Sequence, residues 1–143
     1  MVLFFDCHAP AAKTHAWLEK RARHLRGQPS ATRRLDRLPS LTISALTYLE
    51  LLQGMRSRAE LLAVQKSLAL RNTQRLPVTP AITERAIDLM ERLALSHGLG
   101  MGDALIAATA LEQSVPLITG NIKHFSPIEG LTVERFDPAG ELQ

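Results

Sequence analysis

Four polar side chains in this sequence are candidates for metal-dependent chemistry. Asp6 follows the apolar run at 1–5, and Asn121 follows a second apolar run at 116–119. Glu50 and Asp103 lie among apolar or small residues, where an acid without a partner costs free energy. Carboxylate and amide oxygens are the hard ligands that Mg²⁺ and Mn²⁺ accept. If the fold brings these residues together, they would form a divalent-cation site.

Each of the three acids also has a simpler structural interpretation. Asp103 suits the N-cap of a helix, Glu50 suits the solvent-facing side of a helix, and Asp6 suits a turn. Acids are common at such positions, so no single residue decides between the two interpretations. The spacing in the sequence does not by itself establish that the four side chains converge.

The elements that would position these residues alternate between strands and helices. Short apolar runs predict buried strands at 1–5, 41–43 and 116–119, a short strand at 75–79, and an edge strand at 131–136, where apolar and polar residues alternate. Helical patterns cover 15–26, 57–70 and 79–97, and another helix opens at Asp103. This alternation predicts an α/β fold, a parallel sheet with helices on both faces. The functional crevice of such a sheet lies at the carboxyl ends of its strands, where Asp6 and Asn121 fall.

Local signals set the helix ends. Ser44 is predicted to cap a helix that ends near Gly54 and carries an apolar stripe. Thr79, followed by proline, is predicted to start a helix that Gly98 stops. The stripe expected on the helix after Ser44 consists of Leu46, Leu49 and Leu52.

The length and composition of the chain limit the classes of fold and function that it can have. A length of 143 residues with 45% hydrophobic and 22% charged residues fits one globular domain over 1–143, with 137–143 expected as a loose tail. No apolar run is long enough for a membrane span, so a cytoplasmic protein is expected. The one cysteine excludes an internal disulfide and a structural zinc site.

Basic residues are concentrated near the start of the chain. Residues 1–40 hold 8 of the 17 Lys and Arg but only 3 of the 14 Asp and Glu. Such a stretch could neutralise phosphates along a nucleic acid, although a solvated helix face is an equally good explanation. The stretch consists of Lys20, Arg21, Arg23, Arg26, Arg33, Arg34 and Arg37.

Other chemistries lack their motifs. The glycines at 98–102 follow a predicted helix and do not have the spacing of a dinucleotide-binding loop. The sequence contains neither G-x-S-x-G nor H-E-x-x-H, and its five histidines are scattered, which favours surface or capping roles for them. A phosphoacceptor receiver domain would place a lysine at the end of its last strand, and 131–136 has none.

The motifs in the second half of the chain resemble one family closely. HGLGMGDALIAATALE at 97–112 and PLITGNIKHF at 116–125 resemble the C-terminal half of VapC-type PIN-domain toxins. TISALTYLELLQG at 42–54 is similar to the strand and helix that carry an acidic residue in that family. The DALIAATA and TGN elements are specific, and the resemblance spans nearly the whole chain.

The resemblance implies a fold and a function. The fold would be a three-layer α/β/α PIN domain whose central, mainly parallel sheet has roughly four or five strands. The function would be that of a Mg²⁺- or Mn²⁺-dependent endoribonuclease that hydrolyses RNA as the toxin of a toxin–antitoxin pair. A homodimer and a VapB-type antitoxin partner are also implied.

Residue by residue, the resemblance assigns roles to the candidates. Asp6, Glu50 and Asp103 would hold the metal, and Asn121 would take a fourth catalytic position. Some relatives carry an acid near the position of His124, so this neighbourhood is an alternative for the fourth role. Ser44 and Thr119 would supply hydroxyls that orient the carboxylates. The residues expected to contact RNA phosphates are Lys20, Arg21, Arg23, Arg33 and Arg34.

The chain departs from the family after its first acid. Cys7, His8, Ala9 and Pro10 replace the usual small hydroxyl residue and its neighbours, and the segment from Asp6 to Glu50 is longer than usual. These differences keep a second hypothesis open. In that alternative the chain is a catalytically impaired PIN-fold module that pairs with an antitoxin and binds nucleic acid without cleaving it.

Overall fold

The computed structural model describes residues 2–3, 42–120 and 122–135, and the elements below are numbered within those ranges. The strands are β1 (Val2–Leu3), β2 (Thr42–Ser44), β3 (Gln74–Leu76), β4 (Leu117–Thr119) and β5 (Val133–Arg135). The helices are α1 (Ala45–Gln53), α2 (Arg58–Leu70), α3 (Pro80–His97), α4 (Met101–Glu112) and α5 (Ile122–Phe125).

The described strands join in one sheet in the order β3-β2-β1-β4-β5. Every pair is parallel, with Val2 opposite both Thr42 and Leu117. From β1 the chain adds β2 and β3 on one side and later adds β4 and β5 on the other side. The strand order therefore reverses between β1 and β4, and the predicted α/β class with parallel strands is confirmed.

Side-chain caps begin three of the helices. The side chains of Ser44, Ser57 and Thr79 each accept a hydrogen bond from the backbone N–H three residues later. The first backbone N–H groups of a helix have no acceptor within the helix, and each of these side chains provides one. Pro80 occupies the first turn of α3, and Gly98 ends that helix with φ of 67°. The predicted start and end of α3 are both confirmed.

The start of α4 differs from the prediction. The helix begins at Met101 rather than at Asp103, and its N-cap is Gly100, which has no side chain to cap the helix. Asp103 is therefore the third residue of α4, and the interpretation of Asp103 as an N-cap is wrong. The predicted burial is confirmed, since every residue from Ala104 to Ala110 except Leu105 is buried.

The core lies where α3 and α4 pack against each other. Ile82, Ala86 and Leu89 supply the α3 side, and the small residues of α4 let the two helices approach. Phe125 from α5 and Leu117 from β4 complete the same buried cluster. Residues of β4, α4 and α5 therefore pack in one core, which holds these three elements together.

The apolar stripe predicted on α1 is wrong at one position. Leu49 is 58% exposed, whereas Thr47 and Leu51 are the buried residues of this helix. Thr47 can be buried because its backbone N–H and its hydroxyl both contact the Ser44 hydroxyl, at 2.9 and 3.0 Å. A pattern that counts only apolar residues misses a threonine whose polar groups are satisfied locally.

Two strands start at residues other than those predicted: β3 begins at Gln74 and β5 at Val133. β3 ends at Leu76, because Pro77 has no N–H to donate to a further ladder bond. β5 covers Val133–Arg135 and forms the edge of the sheet beside β4, as predicted for this segment. Among the described residues, no helix combines the length and the apolar character that crossing a bilayer requires.

Candidate metal site

The carboxyl edge of the sheet carries several of the predicted site residues. β2 ends at Ser44 and leads directly into α1, which carries Glu50. β4 ends at Thr119, shortly before α5, which carries His124. Since the strands are parallel, their carboxyl ends share one edge, and the reversal of strand order between β1 and β4 is where such sheets form their crevice.

Asp103 reaches the same edge from a neighbouring helix. α4 ends at Glu112, and the short connection 113–116 leads to the first residue of β4. Because α4 also packs against α5, which follows β4, and Asp103 contacts His124, the start of α4 lies near the carboxyl end of β4. The side chain of Asp103 is 1% exposed, and the positive end of the helix dipole stabilises a carboxylate in this first turn.

His124 contacts Asp103 directly. Nδ1 of His124 lies 3.2 Å from Oδ2 of Asp103, although the two residues are 21 positions apart in the sequence. The histidine side chain is 32% exposed and the aspartate side chain 1% exposed. One partner thus faces solvent at the edge of the sheet while the other is enclosed by protein.

Glu50 lies on a third element. It is half-buried in α1, and α1 packs against both β2 and α4. Within residues 2–3, 42–120 and 122–135, no three His, Cys, Asp or Glu side chains are grouped closely enough to hold a metal. Glu50, Asp103 and His124 therefore do not complete a cation site by themselves.

The two hydroxyls predicted to orient the carboxylates are both buried. Ser44 is 1% exposed, and its hydroxyl accepts a hydrogen bond from the N–H of Thr47. Thr119 is fully buried at the end of β4. Both lie at strand ends on the carboxyl edge, and their effect on the acids stays a prediction.

Several predicted residues lie outside the described ranges. These are Asp6, Asn121 and the predicted RNA contacts Lys20, Arg21, Arg23, Arg33 and Arg34. Their roles stay predictions. The family resemblance singled out the neighbourhood of His124 but not its contact with Asp103. The signal available was the position of His124 shortly after a buried strand.

A cavity of about 300 Å³ lies elsewhere, at the amino end of β4. Its lining includes Ser114, Pro116 and Gly130. Neither Asp103 nor His124 borders it. We therefore do not assign the predicted chemistry to this cavity.

The chemistry of the donors at the carboxyl edge fits a hard divalent cation. Asp103 provides carboxylate oxygens that solvent barely reaches, and α1, which packs against α4, carries a second carboxylate, that of Glu50. Mg²⁺ and Mn²⁺ prefer oxygen ligands and retain water in their coordination shell. Carboxylate oxygens at this edge therefore fit a hard divalent cation better than a soft metal.

The chain belongs to the PIN domain family. The family model matches residues 14–129, which include Glu50, Asp103 and His124. The resemblance that the 97–112 and 116–125 motifs predicted is thereby confirmed.

Known relatives and solved structures agree with this assignment. Ribonuclease VapC10 of Mycobacterium tuberculosis is 45% identical over 92 residues, which cover 64% of this chain and 67% of the relative. A toxin–antitoxin complex from Klebsiella pneumoniae has a similar fold, with a TM-score of 0.63, 25% identity, and coverage of 96% of this chain and 98% of that chain. VapBC2 from Rickettsia felis, bound to a DNA fragment from its promoter, gives a TM-score of 0.67 at 23% identity, over 96% of this chain and 100% of that chain.

Proposed function

We propose that this chain is a Mg²⁺- or Mn²⁺-dependent endoribonuclease that acts as the toxin of a toxin–antitoxin pair. The observation that carries the proposal is the buried carboxylate of Asp103, held at the carboxyl edge of a PIN-family sheet and contacted by His124. The similarity to Ribonuclease VapC10 supports RNA as the substrate. The toxin–antitoxin complexes among the structural neighbours support a VapB-type antitoxin as the partner.

The cation would be held by Asp6, Glu50 and Asp103, with Asn121 or the neighbourhood of His124 in the fourth position. When bound, the cation supplies positive charge that stabilises the negatively charged phosphorane and makes water easier to deprotonate. Asp103 contributes a buried carboxylate, so bulk water competes less with the cation for its oxygens. Ser44 and Thr119 would hold the neighbouring acids in position.

The reaction is hydrolysis of a phosphodiester. A water oxygen forms a bond to phosphorus in line with the bond to the 3′-oxygen, and one of the site carboxylates accepts the proton that this water loses. The bond between phosphorus and the 3′-oxygen breaks, and the 3′-oxygen takes up a proton. The products are a 5′-phosphate and a 3′-hydroxyl. Lys20, Arg21, Arg23, Arg33 and Arg34 would anchor the flanking phosphates.

The proposal includes the architecture around this site. The chain would form a single PIN domain over 1–143, with helices on both faces of the sheet in three layers. It would assemble as a homodimer in the cytoplasm, where its RNA substrate and its antitoxin occur.

Cleavage of a structured RNA by the purified protein tests the function. We expect cutting with Mn²⁺, no cutting with EDTA, and recovery when Mn²⁺ is added in excess of the chelator. Asp103→Asn should lower the rate by at least about 100-fold, because charge stabilisation of several kcal/mol is lost and each 1.36 kcal/mol is a factor of ten. Asp88→Asn, on an exposed position of α3, is the matched control and should cut like the wild type.

Two results would contradict the proposal. RNA that stays intact with Mg²⁺ and with Mn²⁺, together with tight binding of the antitoxin, would favour the non-cleaving module instead. Cutting that persists in Asp103→Asn or in EDTA would point to a contaminating nuclease or to a site that does not use this acid.

A further inference from the structure

The backbone position of His124 is set by buried neighbours in the sequence. His124 lies in the single turn α5, whose next residue, Phe125, is fully buried in the core. The strand that precedes this turn, β4, is buried over its whole length. The backbone of His124 is thus held close to a packed core, although its side chain remains partly exposed.

The direction of the hydrogen bond to Asp103 follows from the chemistry of the two groups. When Asp103 is ionised, its carboxylate has no hydrogen to donate, so in that state Nδ1 of His124, 3.2 Å from Oδ2, is the donor. With Oδ2 engaged in this way, rotation of the carboxyl group about its Cβ–Cγ bond is restricted. The orientation of Oδ1 is restricted with it.

We propose that His124 is a positioning residue whose Nδ1–H orients the carboxylate of Asp103 for binding the divalent cation. The inference rests on the proposed function, since it gives a role to a neighbour of the proposed metal ligand. Groups that hydrogen-bond to metal-binding side chains fix the geometry of those side chains and raise metal affinity. The contact between a partly exposed ring and a buried acid is the arrangement that this role requires.

Two substitutions at His124 separate the two ring nitrogens. The side-chain amide of His124→Asn places an N–H donor near the position of Nδ1, whereas that of His124→Gln places it near the position of Nε2. His124→Ala removes both donors. His97→Asn, at an exposed histidine at the end of α3, is the matched control.

The primary readout is the affinity of the purified, metal-free protein for Mn²⁺, measured by titration calorimetry. We expect His124→Ala and His124→Gln to weaken binding by about 10- to 100-fold, the usual effect of losing such a neighbour. His124→Asn should keep affinity within about threefold of the wild type, because the donor to Oδ2 is retained. His97→Asn should bind like the wild type.

Kinetics and unfolding separate positioning from a purely structural role. A positioning role predicts that kcat at subsaturating Mn²⁺ falls with affinity, while KM for RNA and the midpoint of thermal unfolding stay close to those of the wild type. A structural role predicts that the unfolding midpoint of His124→Gln falls in step with its affinity, and this result would overturn the inference.

Other outcomes overturn the inference in distinct ways. Equal Mn²⁺ affinity in all three His124 variants and in the wild type would show that the contact does not matter for the cation. Loss in His124→Asn as large as in His124→Ala would indicate that the imidazole itself binds the metal. A wild type that binds Mn²⁺ but leaves RNA intact would contradict the proposed function alone. A wild type that does not bind Mn²⁺ would contradict both.

Discussion

The neighbouring helices α3 and α4 each carry an acidic residue, one exposed to solvent and the other buried. On α3, Asp88 is 59% exposed and pairs with Arg92 one turn later at 2.7 Å. On α4, Asp103 is 1% exposed and contacts a histidine from another element. The first helix buries only one face, whereas the second is buried on nearly all sides.

The difference shows what each acid contributes. Solvent can stabilise the charge of Asp88 whether or not Arg92 is present, so this pair has little energetic consequence. The charge of Asp103 depends on the groups that the fold places around it, because water barely reaches it. A buried acid of this kind is a weak source of stability, which is why we propose a chemical role for Asp103.

The largest effect that tests this comparison is expected on the buried face of α3. Leu89→Ala should lower the free energy of unfolding by about 3 kcal/mol, since it removes a side chain that is 1% exposed and leaves a cavity. Leu95→Ala, on the same helix but fully exposed, should change it by less than about 0.5 kcal/mol. Chemical unfolding in urea measures both. Similar losses in the two variants would mean that the outer face of α3 is also covered in the assembled protein.

A smaller effect is expected when α4 is made larger. Ala107→Leu should lower the free energy of unfolding by about 1–3 kcal/mol, because Ala107 is fully buried and a larger side chain overpacks the core. Ala59→Leu, on an exposed position of α2, makes the same chemical change and should leave stability within about 0.5 kcal/mol. Thermal unfolding followed by circular dichroism measures the difference. An Ala107→Leu protein as stable as the wild type would reveal unfilled space beside α4.

Local signals made part of the fold predictable from the sequence. The caps at Ser44 and Thr79 depend on a hydroxyl and a backbone N–H three residues apart, and the end of α3 depends on a glycine that adopts a positive φ. The burial of Leu49 was predicted wrongly, because a nine-residue helix offers too few positions to define its inner face by apolar residues alone.

The site was less predictable than the helix ends. Asp103 was identified from its apolar surroundings and from the resemblance, yet its contact with His124 joins residues from two elements. No sequence periodicity predicts such a contact, because it arises where α4 packs against α5. The family motif marked the neighbourhood, and the contact between Nδ1 of His124 and Oδ2 of Asp103 appears only in the folded structure.

The smallest effect is expected at the exposed pair on α3. Asp88→Asn removes the charge that meets Arg92 within one helical turn, and exposed pairs at this spacing contribute about 0.3–0.5 kcal/mol to the free energy of unfolding. Salt screens charges that are open to water, so the change should shrink further between low salt and 1 M NaCl. Urea unfolding at the two salt concentrations measures it. A loss above about 1 kcal/mol that persists in high salt would show that Asp88 is desolvated in the working protein, and the contrast between the two helices would then no longer hold.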